Sequence, residues 1–276
     1  MKKDSWCIKP IFSIELHIRD LSLLEKIHKF FQVGNIIIRN RNKKKSVIYS
    51  VQSVKDINNV IIPHFLKYPL LTQKIINFRL FCLIINKINN KEHLNIKGVK
   101  KIISIRASLN KGLSNELKEH FPDSIPINIS EISISHVIKN PYWLTGFVDA
   151  EGCFYIKPVT FKSKIVKYSL VLSISQHSRD KLLMIKIIEY LKCGLLECPK
   201  TRKESRYVVY NYSDHLEKII PFFIKYPLLS TKLLDFQDFY KVSNLLKKKE
   251  KLKEEDISFI RHIKSNMNNK RKFIEE

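Results

Sequence analysis

The stretch Trp143-Leu144-Thr145-Gly146-Phe147-Val148-Asp149-Ala150-Glu151-Gly152 decides the fold of this chain. It predicts a helix that ends at Gly152, because glycine readily takes the left-handed conformation found at helix ends. Gly146 and Ala150, four residues apart, leave one face bare enough for a partner helix to approach closely. Asp149 and Glu151 fall in the last turn, where the helix dipole disfavours acids, so the pattern favours acids that meet a cation. A helix with two solvated acids is the alternative that these residues leave open.

The composition indicates a partner of opposite charge. Among 276 residues, 50 are Lys or Arg and 26 are Asp or Glu, which gives a net charge of +24 at pH 7. Such an excess favours a polyanion, nucleic acid first and an anionic membrane surface second. No apolar run approaches the roughly 18 residues of a transmembrane helix, so no membrane-spanning segment is predicted.

The cellular compartment is predicted from the cysteines, the first residues of the chain and the bias in amino-acid usage. The five cysteines are scattered and show no paired metal-ligand spacing, which favours reduced thiols outside the secretory route. Met1 to Trp6 has no features of a targeting segment. Alanine occurs only at positions 107 and 150, whereas Ile, Lys and Asn abound, as expected of an AT-rich gene. We therefore expect an organelle-encoded protein, located in the mitochondrion.

The chain contains an internal repeat. Residues 62–78 match residues 220–236 at ten of seventeen positions with an offset of 158. Residues 17–20 match residues 177–180, and Gly34 matches Gly194, both with an offset of 160. The chain is therefore predicted to hold two copies of one mixed helix–strand unit, at residues 1–120 and 142–276. A proline-containing linker is expected at residues 121–141.

The order of elements indicates an α+β fold. The second copy predicts αββαββα, with further helices: 142–151, strands near 153–160 and 167–176, helix 181–192, strands near 195–199 and 206–212, then helices 214–224, 228–247 and 254–267. The first copy predicts a strand at 11–19, a helix capped by Asp20, and strands at 36–39 and 46–52. His17 and His177, at equivalent strand ends, are expected to make structural hydrogen bonds. Residues 270–272 are expected to be a disordered basic tail.

The repeat predicts a missing segment in the first copy. Glu151 lies 26 residues before His177, so its equivalent should lie 26 residues before His17, upstream of Met1. The first copy is therefore expected to lack its first helix and strand. Three explanations stay open: a start further upstream, pairing of helix 143–151 with another molecule, or a decaying remnant. A truncated or mis-started chain is the favoured one.

Basic residues concentrate on the predicted strands and hairpin tips. A basic two-stranded ribbon can enter the major groove of DNA, where base edges are distinguishable. The alternative is that the charges only solvate a sheet face, but their concentration in strands and tips favours DNA. The candidate DNA-binding residues are Arg39, Arg41, Lys43, Lys44, Lys45, Lys157, Lys162, Lys164, Lys167, Lys200, Arg202, Lys203 and Arg206.

The segment from Leu144 to Gly152, in a duplicated, lysine-rich chain, resembles the motif of the LAGLIDADG homing endonucleases, in particular the single-chain organellar intron-encoded kind. The resemblance implies two saddle-shaped antiparallel sheets, with helices on the outer face, that grip double-stranded DNA. It also implies two packed motif helices, each delivering one acid to a divalent-metal site. On the matching positions Glu151, with Gly152, binds the metal, and Gln176 and Lys232 are catalytic residues near the attacking water.

The chemistry of those residues agrees with the implied roles. Phosphodiester hydrolysis uses a metal to neutralise developing charge and to activate water, and Mg²⁺ needs few protein carboxylates. A nearby lysine can polarise the water. The implied function is Mg²⁺-dependent double-strand cleavage for intron homing, by a monomer when the chain is complete. The alternative is an RNA-binding maturase that assists intron splicing, since a basic surface alone does not separate the two.

Overall fold

The computed structural model describes residues 6–41, 44–109, 111–129, 134–162, 164–247 and 252–273. The chain divides into two compact units, Met1–Ser135 (unit 1) and His136–Glu276 (unit 2). Each unit combines an antiparallel sheet with packed helices, which confirms the expected α+β class. Within the described ranges, no helix is both long enough and apolar enough to cross a bilayer.

Unit 1 packs helices against an antiparallel sheet. Its described strands are β1 (Phe12–His17), β2 (Asn35–Arg41) and β3 (Lys44–Val51), in the spatial order β1-β3-β2. Its helices are α1 (Leu21–Phe31), α2 (Val54–Asp56), α3 (Ile62–Lys67), α4 (Lys74–Asn89), α5 (Ile96–Ala107) and α6 (Asn115–His120). Leu24 of α1, Tyr49 of β3 and Ile85 of α4 share one core cluster. A second cluster joins Leu80 of α4 to Ile102 of α5, so α4 lies between the sheet and α5.

Unit 2 has one more strand among its described residues. Its elements are α7 (Pro141–Glu151), β4 (Gly152–Phe161), β5 (Lys164–His177), α8 (Lys181–Leu191), β6 (Leu195–Glu197), β7 (Glu204–Val209), α9 (Tyr212–Asp214), α10 (Ile220–Lys225), α11 (Lys232–Lys247) and α12 (Glu254–Ser265). The strand order is β4-β5-β7-β6. The core centres on Phe154, whose ring packs edge-on against Phe223, Phe236 and Phe239 at 5.3–5.4 Å between centroids.

The two units repeat each other element by element. Helices α1 and α8 both have 11 residues and are offset by 160, the offset found in the sequence. Helices α4 and α11 (16 residues) and α5 and α12 (12 residues) are offset by 158. Strands β1, β2 and β3 correspond to β5, β6 and β7. Among the described residues of unit 1, nothing corresponds to α7 and β4.

The matched glycines explain why the repeat keeps them. Gly34 and Gly194 have φ angles of 83° and 84°, in the left-handed region that L side chains rarely adopt. A Cβ on Gly34 would lie 2.6 Å from the carbonyl oxygen of Ser50, and one on Gly194 would lie 2.5 Å from the Tyr207 ring. Each glycine therefore lets the chain turn from the preceding helix into the hairpin, where it packs closely against the strand that carries the buried Tyr49 or Tyr207.

Several local expectations are corrected by the structure. The predicted helix 214–224 is interrupted by a π-helical turn at His215–Ile219, and unit 1 has the same turn at Ile57–Ile61. Asp20 precedes α1 without a side-chain capping hydrogen bond.

The expectation for the two equivalent histidines is confirmed. His17 and His177 make structural hydrogen bonds, because each ring Nδ1 accepts the backbone N–H of the second residue after it, at 3.3 and 3.2 Å.

The segments predicted as linker and tail both pack against the fold. Phe121, Ile127 and Ile129 join hydrophobic clusters of unit 1, and the division between units falls at Ser135, inside the predicted linker 121–141. At the other end, the expectation of a disordered tail at 270–272 was wrong. The Arg271 guanidinium donates to carboxylates on α11 at 2.7–2.8 Å and so holds this segment on unit 2.

Candidate active site

The motif helix α7 has clear local causes. The side chain of Asn140 caps its start by accepting the backbone N–H of Tyr142 at 2.9 Å, and Pro141 occupies the first turn, where its missing N–H costs nothing. Leu144, Thr145 and Val148 are buried against unit 2. The helix ends at Glu151, whose side chain is exposed.

Gly152 ends the helix differently from the expectation. Its φ and ψ angles of −79° and 157° are extended, so the predicted left-handed cap was wrong, and the chain runs directly into β4. A Cβ on Gly152 would lie 2.6 Å from Val148 Cγ1 and 2.7 Å from the Val148 carbonyl oxygen. Close packing of the first strand residue on the helix, rather than backbone handedness, therefore requires glycine here.

Asp149 has a structural role that the sequence did not reveal. Its carboxylate accepts the backbone N–H of Leu229 at 2.8 Å, the N–H of Ser230 at 3.2 Å and the Ser230 hydroxyl at 2.5 Å. The Thr145 hydroxyl donates to the Tyr226 carbonyl oxygen at 3.1 Å, one turn earlier on the same helix. These bonds fasten α7 to the loop that precedes α11. The Asp149 carboxylate is therefore already engaged, whereas Glu151 at the end of the same helix is exposed.

The same loop delivers Lys232 to the end of α7. Lys232 is the first residue of α11, and its backbone N–H donates to the Ser230 hydroxyl oxygen at 3.1 Å. Its ammonium donates to the carbonyl oxygen of Gly152. Three of the predicted site residues, Glu151, Gly152 and Lys232, are thus brought together within two adjoining chain segments.

Gln176 lies further along the sheet. It pairs with Ser205 on β7, and it is two residues beyond Ile174, the partner of Gly152. Two residues of antiparallel strand correspond to about 7 Å. Among the described residues, no hydrogen bond joins Gln176 to Glu151 or Lys232. Its side chain is half-buried, so the structure gives it a place near the motif without direct contact.

The open face of the unit 2 sheet carries several of the predicted DNA-binding residues. Side chains alternate between the two faces along each strand. Phe154, Leu172 and Tyr207 point toward the helices, so the residues directly before and after each of them lie on the other, open face. Lys157 and Lys167 lie on that open face, exposed. The other described basic candidates of unit 2, all exposed, are at the two connections: Lys162 between β4 and β5, and Lys200, Arg202 and Lys203 between β6 and β7. The side chain of Lys164 is outside the described part.

Arg206 also lies on the open face, but it is engaged. Its guanidinium donates to both carboxylate oxygens of Glu204, at 2.8 and 3.1 Å. This hydrogen bonding lowers the pKa of Glu204. Glu197 pairs directly across from Arg206 on β6 and accepts the Tyr210 hydroxyl at 2.9 Å. Burial, followed by the bond to Glu197, raises the pKa of Tyr210 to about 12.

Sequence reasoning missed these acids. Glu204 and Arg206 are two residues apart on one strand and therefore share a face, a signal that was readable once the strand was assigned. The pairing of Glu197 with Arg206 depends on the register of β6 and β7, which a single sequence does not disclose. The open face is therefore a mixed surface of cations, acids and tyrosines rather than a purely basic one.

In unit 1 the predicted basic residues are only partly described. Arg39 is exposed on β2 and pairs with Ser46 of β3, whose hydroxyl donates to Glu15 on β1 at 2.7 Å. Lys45 is exposed on β3. The side chains of Arg41 and Lys44, and the whole of Lys43, lie outside the described residues.

No ready-made metal site accompanies these groups within the described ranges. There, no cluster of three or more His, Cys, Asp or Glu side chains is arranged to hold an ion. The donors nearest the end of α7 are the Glu151 carboxylate and the Gly152 carbonyl oxygen, and the latter already accepts the Lys232 ammonium. Gly146 and Ala150 are exposed on α7, and no described atom of unit 2 lies within 4 Å of where a Cβ on Gly146 would be.

Comparisons with known proteins agree on one family. The family model of the LAGLIDADG endonucleases matches residues 1–85 and 144–243. Probable intron-encoded endonuclease 3 of Neurospora crassa is 36% identical over 262 residues, which are 94% of this chain and 48% of that protein. Probable intron-encoded endonuclease 2 of the same organism is 34% identical over 275 residues, 96% of this chain and 59% of that protein. The chain thus spans about half the length of these curated relatives.

Solved structures give the same family likeness. The homing endonuclease I-SmaMI bound to cleaved DNA is 37% identical, with a TM-score of 0.90 over 96% of this chain and 88% of that one. I-GzeII in complex with its DNA target is 40% identical, with a TM-score of 0.90 over 99% of this chain and 92% of that one. I-SmaMI was also solved on an uncleaved target in the presence of calcium ions.

Proposed function

Because the chain belongs to the LAGLIDADG endonuclease family, we propose that it is a site-specific DNA endonuclease that cleaves both strands of a duplex. The activity depends on a divalent metal and promotes homing of the mitochondrial intron that encodes the chain. The observation that carries this proposal is that the exposed Glu151 ends the motif helix while the Lys232 ammonium donates to the carbonyl oxygen of the next residue, Gly152. The DNA complexes of I-SmaMI and I-GzeII support duplex DNA as the substrate class.

The donor set fits a hard divalent cation that keeps most of its water. Glu151 supplies one carboxylate oxygen ligand, and Asp149 is withdrawn by its bonds to Leu229 and Ser230. Mg²⁺, the ion we propose, needs only one or two carboxylates together with substrate phosphates. The Gly152 carbonyl oxygen would be the further protein ligand, and it would have to be free of the Lys232 ammonium that it accepts in this structure. When bound, such an ion neutralises charge on the scissile phosphate and lowers the pKa of water.

The residues of the chain prepare the site for an in-line displacement. Lys232 holds a positive charge at the Gly152 carbonyl oxygen, one residue after Glu151, where it can stabilise the extra negative charge that develops as water attacks. Ser230 and Asp149 fix the start of α11, so the ammonium is positioned before DNA arrives. Gln176, on the neighbouring strand, offers an amide that can orient water without carrying charge.

The open sheet face of unit 2 is the proposed DNA-reading surface. Lys157 and Lys167 are exposed cations that can contact phosphates, which adds affinity but little sequence information. The paired Arg206 and Glu204 are better suited to bases, because guanidinium matches the guanine edge and carboxylate accepts from the cytosine amino group. Salt therefore weakens binding through the lysines, with a slope that falls by about 0.9 for each phosphate contact removed.

A pair of motif helices is part of the proposal. The family resemblance implies two acids, and within the described residues α7 is the one helix that carries such an acid. We propose that efficient cutting needs a second motif helix, received by the open face of Gly146 and Ala150. That helix can be joined ahead of unit 1 or supplied by a second copy.

The test measures binding and cutting separately. Target DNA is selected from a randomised duplex library, then cut in Mg²⁺ by the chain alone and by the chain with a second motif helix joined upstream. We expect binding by both and efficient cutting by the second. In that protein Glu151→Gln should lower the cleavage rate at least a hundredfold while binding changes less than threefold. Glu217→Gln, the same charge change at an exposed residue of unit 2, should leave both unchanged.

Two results would overturn the proposal. Equal cutting by the Glu151→Gln protein would remove Glu151 from the chemistry. Binding of intron RNA with no selection of any duplex would instead favour the maturase, which needs no metal-binding acid.

A further inference from the structure

A basic cavity lies on unit 1, on the side of its helices that faces away from the sheet. Helix α4 separates the sheet from α5, because it shares one core cluster with the sheet and another with α5. Lys97, Lys100, Lys101 and Ser104 follow one another at helical spacing and occupy one face of α5. The turn at residues 121–124 after α6 faces them across a cavity of about 340 Å³.

The charges around this cavity are unbalanced. Three lysines and His120 line it, against the single carboxylate of Asp123. The Lys101 ammonium reaches Glu92 at 3.8 Å, but Glu92 is shared with Lys87 at 3.2 Å. Lys97 and Lys100 form no ion pair with any residue in the described part of the chain.

The position of the lysines makes the imbalance costly. They lie in the first two turns of α5, where the positive end of the helix dipole disfavours cations. Lys97 is three residues from Lys100 and four from Lys101, spacings at which like charges lie side by side on a helix and destabilise it. An anion seated in the cavity offsets all of these terms at once. Ser104 and Ser124 add hydroxyl donors on opposite sides.

An aromatic side chain stands beside the cavity. The Trp6 ring packs edge-on against His120 and Phe121, with centroid distances of 5.0 and 5.5 Å, and is 38% exposed. Bases stack on aromatic rings of this kind next to basic grooves that bind the phosphates. The cavity thus combines cations, hydroxyl donors and an aromatic edge.

We propose that this cavity is a phosphate-binding site, separate from the proposed cleavage site and sharing no residue with it. Its ligand carries two or more phosphate groups, which belong either to a nucleic-acid strand or to a free polyphosphate. Lys97 and Lys100 bind the phosphates by charge-assisted hydrogen bonds, and Ser104 donates to them from the next turn. Binding at this site does not depend on DNA cleavage, so the proposal can be tested independently of the function proposed above.

The chain itself offers a local probe. Its two tryptophans are Trp6 and Trp143, so a Trp143→Phe protein leaves Trp6, beside the cavity, as the single tryptophan, which is excited selectively at the red edge of its absorption. That protein is titrated at constant ionic strength with tripolyphosphate and, separately, with a short single-stranded oligothymidylate. Calorimetry of the same titrations detects a ligand that reaches the lysines without changing Trp6 fluorescence. We expect saturable binding at about one site per chain.

Paired variants separate the site from general attraction to a basic protein. Lys97→Ala with Lys100→Ala should weaken binding at least tenfold. The matched control is Lys26→Ala with Lys29→Ala, which removes two exposed cations from α1 and should change affinity less than twofold. Urea unfolding of both proteins verifies that unit 1 remains folded.

The outcomes are distinct. Tighter binding of the oligonucleotide than of tripolyphosphate at equal phosphate concentration assigns the site to a nucleic-acid strand, and equal or weaker binding assigns it to free polyphosphate. The proposal is overturned when neither ligand saturates in fluorescence or calorimetry, or when the α1 control loses as much affinity as the α5 pair.

Discussion

His215 is a buried titratable group whose state should govern the acid stability of unit 2. Its side chain is 0% exposed, on the π-helical turn before α10. The ring Nε2 lies 3.0 Å from the Leu170 carbonyl oxygen and 3.1 Å from that of Val209, so it is the protonated nitrogen and donates to both. Burial is the largest influence on this group and lowers its pKa to about 4, although the two carbonyl contacts and Asp214 act in the opposite direction.

The sign of the effect follows from which state takes up the proton. An unfolded histidine titrates near 6.5, so below that pH the unfolded chain binds a proton that the folded chain refuses. Stability is therefore complete above about pH 6.5 and is lost as the pH falls toward the folded value. With pKa values of about 6.5 and 4, the loss between pH 7 and pH 5 is about 2 kcal/mol.

The matched variant is His215→Ile, because unit 1 places the fully buried Ile57 at the equivalent position. A Trp6→Phe background leaves Trp143 as the reporter of unit 2, and urea unfolding is followed at pH 7 and pH 5. The parent should lose about 2 kcal/mol more than the variant over this interval, since isoleucine does not titrate. Equal losses in the two proteins would show that His215 is not held neutral and would refute the reasoning.

Two further predictions concern packing and ion-pair contacts of unit 2. Gly152→Ala should destabilise unit 2 by about 1–3 kcal/mol in the same Trp143-reported unfolding, because the new Cβ would meet the Val148 carbonyl oxygen; an unchanged midpoint would contradict this contact. Arg271→Leu should cost about 3 kcal/mol, because it leaves the buried carboxylate of Asp235 without its guanidinium. The control Lys272→Leu, at an exposed residue, should be nearly neutral, and a similar loss in both would point to the charge of the tail alone.

Most helices and strands could be predicted from the sequence because the internal repeat shows the same pattern of residues twice for each of them. The cores of both units use the same spacing, so the offsets of 158 and 160 placed α4 on α11 and α1 on α8 without ambiguity. The π-helical turns escaped prediction because hydrophobic spacing does not distinguish them from ordinary helix. Each turn precedes a proline at the second residue of the next helix, Pro63 or Pro221. Proline has no N–H and its ring crowds the carbonyl four residues earlier, which the wider turn relieves.

The site was harder to predict than the fold because its geometry depends on contacts between distant segments. Pattern alone placed both Asp149 and Glu151 in the last turn of α7, and only the loop before α11 decides between them. Leu229 and Ser230 are 80 and 81 residues from Asp149 in sequence. Their hydrogen bonds to Asp149 therefore could not be predicted from the residues around the motif. The ion pair of Arg206 with Glu204, by contrast, is local and could have been predicted from strand alternation.

The contacts of α7 explain why one helix tip needs two acids with different surroundings. Asp149 binds the loop that precedes α11, the loop positions Lys232, and the Lys232 ammonium donates to the carbonyl oxygen of Gly152, the residue after Glu151. Asp149 therefore fastens the helix to this loop, whereas Glu151 remains exposed. Unit 1 keeps the receiving half of this arrangement, since Thr72 accepts the Lys74 backbone N–H at 3.3 Å as Ser230 accepts that of Lys232. A second motif helix supplied to unit 1 would meet a loop of the same build, so we expect Lys74 to donate to the carbonyl oxygen of the residue after its exposed acid, as Lys232 donates to Gly152.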